Sequence, residues 1–216
     1  MSASIRNSAS LILLTIFLTI CSGCDSTPSP QPENHYAPSV IQLPSAEILL
    51  SGDIAFRLGR TLQSEAIAAG ADQGMRYSHI GIVIKEGEQI SIVHIEPERE
   101  GAERVKCESL EVFFATENAV SGAIVRVDSL SDNQRAIITK HAIDAVNSPI
   151  RFDHDYSLSD TTRMYCTELT EWVFSKADIE LSQGKRHHLP LTAEAVILPR
   201  DILSRNDLTL VWEFSN

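Results

Sequence analysis

The 216-residue chain, 43% hydrophobic and 22% charged, is composed like an ordinary folded protein and is long enough for one domain with a real core. Its formal net charge of -11 and pI near 5.0 argue against a nucleic-acid partner, which needs a basic face. Four cysteines are too few for a disulfide scaffold, and two of them, Cys21 and Cys24, sit at the N-terminus, leaving Cys107 and Cys166 for the folded part.

Residues 1–24 have the layout of an export signal. Arg6 supplies the positive end, the apolar run of residues 11–20 is too short to span a bilayer comfortably, and small residues follow. Cys21-Ser22-Gly23-Cys24 resembles a bacterial lipoprotein box, with Cys21 where leucine is usual. The resemblance implies lipidation at Cys24 and a membrane anchor. Asp25 resembles the retention signal that keeps such proteins on the periplasmic face of the inner membrane. Residues 25–39 carry Pro28, Pro30, Pro32 and Pro38 and read as a tether, spanning up to roughly 40 Å at about 3.1 Å per residue.

The folded domain is expected over residues 40–216. Ser51-Gly52-Asp53 reads as a turn leading into a short strand, and residues 62–69 as a short helix. The clearest hairpin joins residues 77–84 to residues 89–96 across Glu86-Gly87-Glu88. A two-residue Gly87-Glu88 turn makes paired residue numbers sum to 175 and sets His79 across from Glu96. A loop at Glu86-Gly87 would oppose His79 to His94 instead, and a three-residue loop would oppose it to Ile95. Residues 104–115 mix a strand with a short amphipathic turn, and residues 122–127 form another strand. Ser131-Asp132-Asn133-Gln134 is a capping box opening a helix through Val146, with Ile138, Ala142 and Ala145 on one face. One helical turn is expected at residues 199–203 and a terminal strand at residues 208–214.

Cys166, Leu169, Val173 and Ala177 recur at helical spacing, which places Cys166 on the inward stripe of a first turn. Polar Asp160, Thr161 and Thr162 lie upstream, where a helix start wants capping oxygens. A thiol at a helix N-terminus is biased toward thiolate, and the unpaired N–H groups there can receive an oxyanion. Cysteine chemistry further needs an imidazole to exchange the proton and a group that fixes its tautomer. His79 and Glu96, on adjacent strands, supply candidates. An amphipathic helix must cover some sheet face, so Cys166 is expected against this hairpin.

Gly52-Asp53-Ile54, Tyr77-Ser78-His79-Ile80-Gly81-Ile82, Phe152-Asp153 and Tyr165-Cys166-Thr167-Glu168-Leu169 together resemble the YiiX/YebB-type branch of the NlpC/P60 superfamily. These are permuted papain-like cysteine hydrolases in which the histidine strand precedes the cysteine helix. The resemblance runs from about Leu43 to Pro199. It departs from the family's pattern in Thr167 for serine and Ile80 for valine. It implies an α+β domain, an antiparallel sheet or partial barrel packed against the cysteine helix. It also implies Cys166 as nucleophile, His79 as base and Glu96 as third member; related permuted branches use a second histidine there, and His94 is available. The expected activity is amide hydrolysis on a small-molecule or peptide acyl substrate, with cell-wall peptide favoured by location. Acyl transfer, lipid ester or amide hydrolysis and a non-catalytic binding module are the alternatives. Neither cofactor nor metal is expected, and His187-His188 reads as solvated. Glu168 is read as electrostatic support for the helix N-terminus, Asp53 and Asp155 as turn residues. A Cys107–Cys166 disulfide is disfavoured, because Cys107 lies among polar residues.

Overall fold

The hairpin that the sequence marks most clearly is the centre of a six-stranded sheet. The computed structural model describes residues 41–60, 76–98, 101–189, 192 and 194–215. The expected signal segment, the lipidation site Cys24, the tether and the helix at residues 62–69 lie outside them. Strands β1 (Ile54–Gly59), β2 (His79–Glu86), β3 (Gln89–His94), β4 (Lys106–Ser109), β5 (Ala119–Val127) and the terminal strand β8 (Leu208–Ser215) lie in the order β4-β3-β2-β1-β5-β8. Every neighbouring pair in this sheet is antiparallel. Two short strands, β6 (Arg151–Phe152) and β7 (Arg163–Met164), pair in parallel beside it. The helices are α1 (Leu110–Phe113), α2 (Asp132–Val146), α3 (Cys166–Ser175) and α4 (Pro199–Leu203).

Both faces of the central strands are covered, which is why β2 reads Ile-Gly-Ile-Val-Ile rather than alternating with polar residues. Ile80, Ile82 and Ile84 point into the larger core, where Leu169, Val173 and Phe174 of α3 and Ile138, Ala142 and Ala145 of α2 meet them. Val83, Ile90 and Ile92 point the other way, onto Leu110, Phe113 and Phe114. Burying an aliphatic or aromatic side chain of this size stabilises by about 1.5–3 kcal/mol, so the stripe of α3 fixes that helix, and Cys166 with it, against β2.

The turn of the hairpin is the Gly87-Glu88 form, with Gly87 at φ 63° and Glu86 paired to Gln89. The register therefore sums to 175. The ladder ends, however, at Ile82↔Val93, and beyond it β3 stays with β4 (His94↔Lys106) and leaves β2. Turn chemistry fixes the register of a hairpin but not how far the ladder runs, and here it stops short of His79.

Helix α2 opens on the expected capping box: Ser131 Oγ accepts from the Gln134 N–H, and the Gln134 side chain accepts from the Ser131 N–H. Helix α3 starts differently. Asp160 is engaged by Thr162 and Arg163, and the cap comes from Glu168, whose carboxyl oxygen accepts the Tyr165 N–H at 3.4 Å. Asp53 is fully buried and does more than cap a turn: it accepts the Leu50 N–H and is held by Arg126 and Arg135. Asp155 pairs with Arg163.

Candidate active site

Cys166 is the first residue of α3, and its sulfur faces the backbone N–H groups of Ile80, Thr167 and Cys166 itself. The Ile80 contact follows from the splayed hairpin. The Val83 N–H bonds to β1 through Asp53, so by the alternation of an antiparallel strand the Ile80 N–H points toward β3. With β3 gone from the ladder at that level, the N–H is left for the sulfur. Cys166 and His79 are not hydrogen-bonded to each other among the described residues. Their link is one peptide of β2, since His79 precedes Ile80. Both Cys166 and Cys107 are free thiols, and Cys107 is exposed on β4.

The electrostatics of the thiol differ from the expectation drawn from the helix terminus. Burial pushes the Cys166 thiol up to about 11, against the N–H groups of Ile80 and Thr167, which favour thiolate. Desolvation outweighs the helix end here, so the resting sulfur is a thiol. His79 is also neutral at rest: burial holds it well below the ordinary histidine value, and Arg57, His94 and Lys106 push in the same direction.

His79 is buried at the beginning of β2, with Arg57 as its cross-strand partner on β1. Its Nε2 lies 3.0 Å from Nδ1 of His94, and Nε2 of His94 lies 3.1 Å from a carboxylate oxygen of Glu108 on β4. Among the described residues Nδ1 of His79 makes no hydrogen bond. The Phe113 ring packs on both imidazoles, at 5.7 Å from His79 and 5.1 Å from His94 between centroids. Close approach of His94 to β2 depends on Gly81. A Cβ there would stand 2.5 Å from the Ile92 side chain and 3.1 Å from Cβ of His94.

Glu96 is brought to the same place but to other partners. It pairs with Arg57 and, at 3.1 Å, with Lys106. Burial alone would raise this carboxyl, but Arg57, His94 and Lys106 outweigh it and hold it below the ordinary value. It is not the ladder partner of His79, because β3 has already left β2. Sequence reasoning passed over Arg57, Lys106, Glu108 and Phe113. Glu108 belongs to Lys106-Cys107-Glu108-Ser109, which reads as a solvated polar edge. His94 of β3 and the register of β4 were the only signals pointing to it.

His79, His94 and Glu96 each bring one donor atom to within 4.8 Å of the others. In this structure Arg57 and Lys106 hold the carboxylate, and Nε2 of His79 faces Nδ1 of His94. Glu168 is buried in the first turn of α3, its carboxyl pushed up to about 8 by burial. It therefore caps α3 largely as a neutral acid, rather than as the negative charge expected at that terminus.

A model of the family described as permuted papain-like amidase enzyme, YaeF/YiiX, C92 family, matches residues 49–212. Among solved structures, the chain is similar to the metalloprotein YiiX from Escherichia coli O157:H7, at 22% sequence identity and a TM-score of 0.63. That match covers 77% of this chain and 98% of that one. At this identity the likeness speaks for the fold. No curated protein matches the chain.

Proposed function

The chain belongs to the permuted papain-like amidase family of YaeF and YiiX, and from that premise we propose that it is an exported, lipid-anchored cysteine amidase with Cys166 as nucleophile and His79 as base. The observation that carries this reading is the Cys166 sulfur against the Ile80 N–H, one peptide from an imidazole whose far nitrogen is already tied to His94. The anchor at Cys24 and the inner-membrane address rest on residues 1–25. The substrate favoured by that address is cell-wall peptide.

Both reacting groups rest neutral, so the reaction starts without a standing ion pair. As a substrate carbonyl approaches, the Cys166 S–H proton passes to Nδ1 of His79 while the sulfur electron pair forms the S–C bond. The carbonyl π pair moves onto oxygen, and the Cys166 backbone N–H, at the head of α3, is the donor best placed by type to meet it. Collapse of the adduct breaks the C–N bond. The leaving amine takes the proton from His79, and a thioester remains. Water then loses a proton to His79 and attacks the thioester carbonyl. The C–S bond breaks, the acid departs, and the sulfur recovers its proton. His94, rather than Glu96, holds the imidazole during these steps.

The test is a thiol-directed activity probe and a panel of acyl amides, cell-wall digests included, given to the purified protein. Time-dependent labelling at Cys166 that requires His79, with amide turnover lost in Cys166→Ala, supports the proposal. Ligand binding that persists in Cys166→Ala without turnover in the wild type would make the cleft a binding site instead.

A further inference from the structure

Residues 106–113 return to the two histidines three times. Lys106 stands opposite His94 in the ladder and pairs with Glu96 and Glu98. Phe113 covers both rings. Glu108 stands opposite Ile92, which shares a face of β3 with His94, so its side chain reaches His94 on the diagonal. Of these three residues, Glu108 is the one that bonds an imidazole nitrogen.

We propose that Glu108 is a positioning residue that selects the tautomer of His79 through His94, leaving Nδ1 of His79 bare to take the Cys166 proton. The proposal rests on the reading of Cys166 and His79 as the reacting pair.

The logic is that of donors and acceptors in a chain of two hydrogen bonds. An ionised carboxylate only accepts, so the His94 nitrogen facing Glu108, Nε2, carries hydrogen. A neutral imidazole has one N–H, so Nδ1 of His94 is a lone pair. The His79 nitrogen facing that lone pair, Nε2, must then be the donor. Neutral His79 consequently has no hydrogen on Nδ1. Without Glu108 the two rings can exchange roles, with His94 donating from Nδ1 to Nε2 of His79. The hydrogen of His79 then sits on Nδ1, and the base is blocked. The nearby charges do not impose this order by themselves. Glu96 is committed to Arg57 and Lys106, and Lys106, 3.8 Å from Glu108, offers only donors.

The experiment is ring-nitrogen magnetic resonance on ¹⁵N-histidine-labelled full chain at neutral pH, run beside steady-state kinetics on the best amide of the panel. Wild-type His79 and His94 are both expected as Nε2–H forms. In Glu108→Ala, His79 is expected to acquire a large Nδ1–H share. There kcat should fall about 10–100-fold, with KM within about twofold, the range for a lost partner one bond removed from the chemistry. Glu108→Gln keeps an acceptor oxygen but adds a donor, so both changes should be smaller; it carries the test if the alanine variant does not fold. Ring signals that stay Nε2–H in Glu108→Ala, or a rate loss with unmoved ring signals, would overturn the relay. Expected ring signals in a wild type that turns over no amide would support tautomer selection and sink the amidase reading instead.

Discussion

His79 and His187 are both held in hydrogen-bonded networks that end on a carboxylate, and of the two only His79 keeps a ring nitrogen without a hydrogen bond among the described residues. His187, in the loop before α4, has both ring nitrogens occupied: Nε2 lies 2.6 Å from an Asp201 oxygen, and Arg200 reaches Nδ1 at 3.2 Å. Asp201 is buried and also accepts the Leu198 N–H that opens α4. That arrangement staples the loop to the helix. His79 has one nitrogen tied and the other left, with a sulfur lodged against the next peptide. A histidine–carboxylate contact is therefore no mark of a site by itself. What separates the two is whether an imidazole nitrogen remains and what stands beside it.

The contrast is broken most directly by removing the reacting groups. Cys166→Ala is expected to abolish amide turnover, and His79→Ala to lower kcat by about 10²–10⁴-fold, the usual contribution of a positioned acid–base group. Unfolding curves should confirm that both variants remain folded. If instead His187→Ala alone abolished turnover, the assignment of the two histidines would be reversed.

A finer cut compares the partner of His79 with His187 itself. His94→Ala is expected to lower kcat about 10–100-fold. His187→Ala should leave kcat within about twofold and lower Tm by about 2–4 °C, the equivalent of about 1 kcal/mol for a chain of this size. Kinetics and calorimetry on the same two preparations decide it.

Acid is expected to act on the buried pair. His79 and His94 both have folded-state values below 6.5, so below that pH the unfolded chain binds protons that the native rings refuse, and stability falls as pH falls. Each such ring costs up to about 1.4 kcal/mol per pH unit. Tm measured from pH 7 to pH 5.5 is expected to drop less steeply in His79→Gln than in the wild type. A neutral His79 also requires that any acid limb of kcat/KM lie below pH 6.5.

At Glu168 the effect is expected on stability rather than on turnover. Its carboxyl is raised to about 8, so burial of its charge costs stability as pH rises from 4.5 through 8. Glu168→Gln retains an acceptor for the Tyr165 N–H. It should raise Tm at pH 9 and leave it nearly unchanged at pH 5; equal Tm shifts at both would remove the carboxyl's titration as the cause.

Much of this was legible in the residues themselves. The hairpin, its register, the α2 capping box and the cysteine helix follow from turn chemistry and apolar spacing, signals that act over a few positions. The proposed Cys166–His79 pair rests on the motifs around these two residues. The third group was not legible in the same way. Glu96 sits at the expected register number, yet β3 departs from β2 before reaching it, and strand divergence is decided by packing across the sheet. Glu108 lay hidden for a related reason: a glutamate in a short polar strand looks the same whether it faces water or a buried imidazole. The thiol's resting state was likewise a matter of burial, which a helix-terminus argument does not measure.

The hydrogen at the α-carbon of Gly81 bears on the relay as directly as any charged group. A methyl at this point would act as a shim between strand and imidazole, widening the 3.0 Å gap across which the two rings share a proton. Gly81→Ala would thus yield a protein with every reactive atom present and the hydrogen bond between its two imidazoles stretched, detuned by clearance alone.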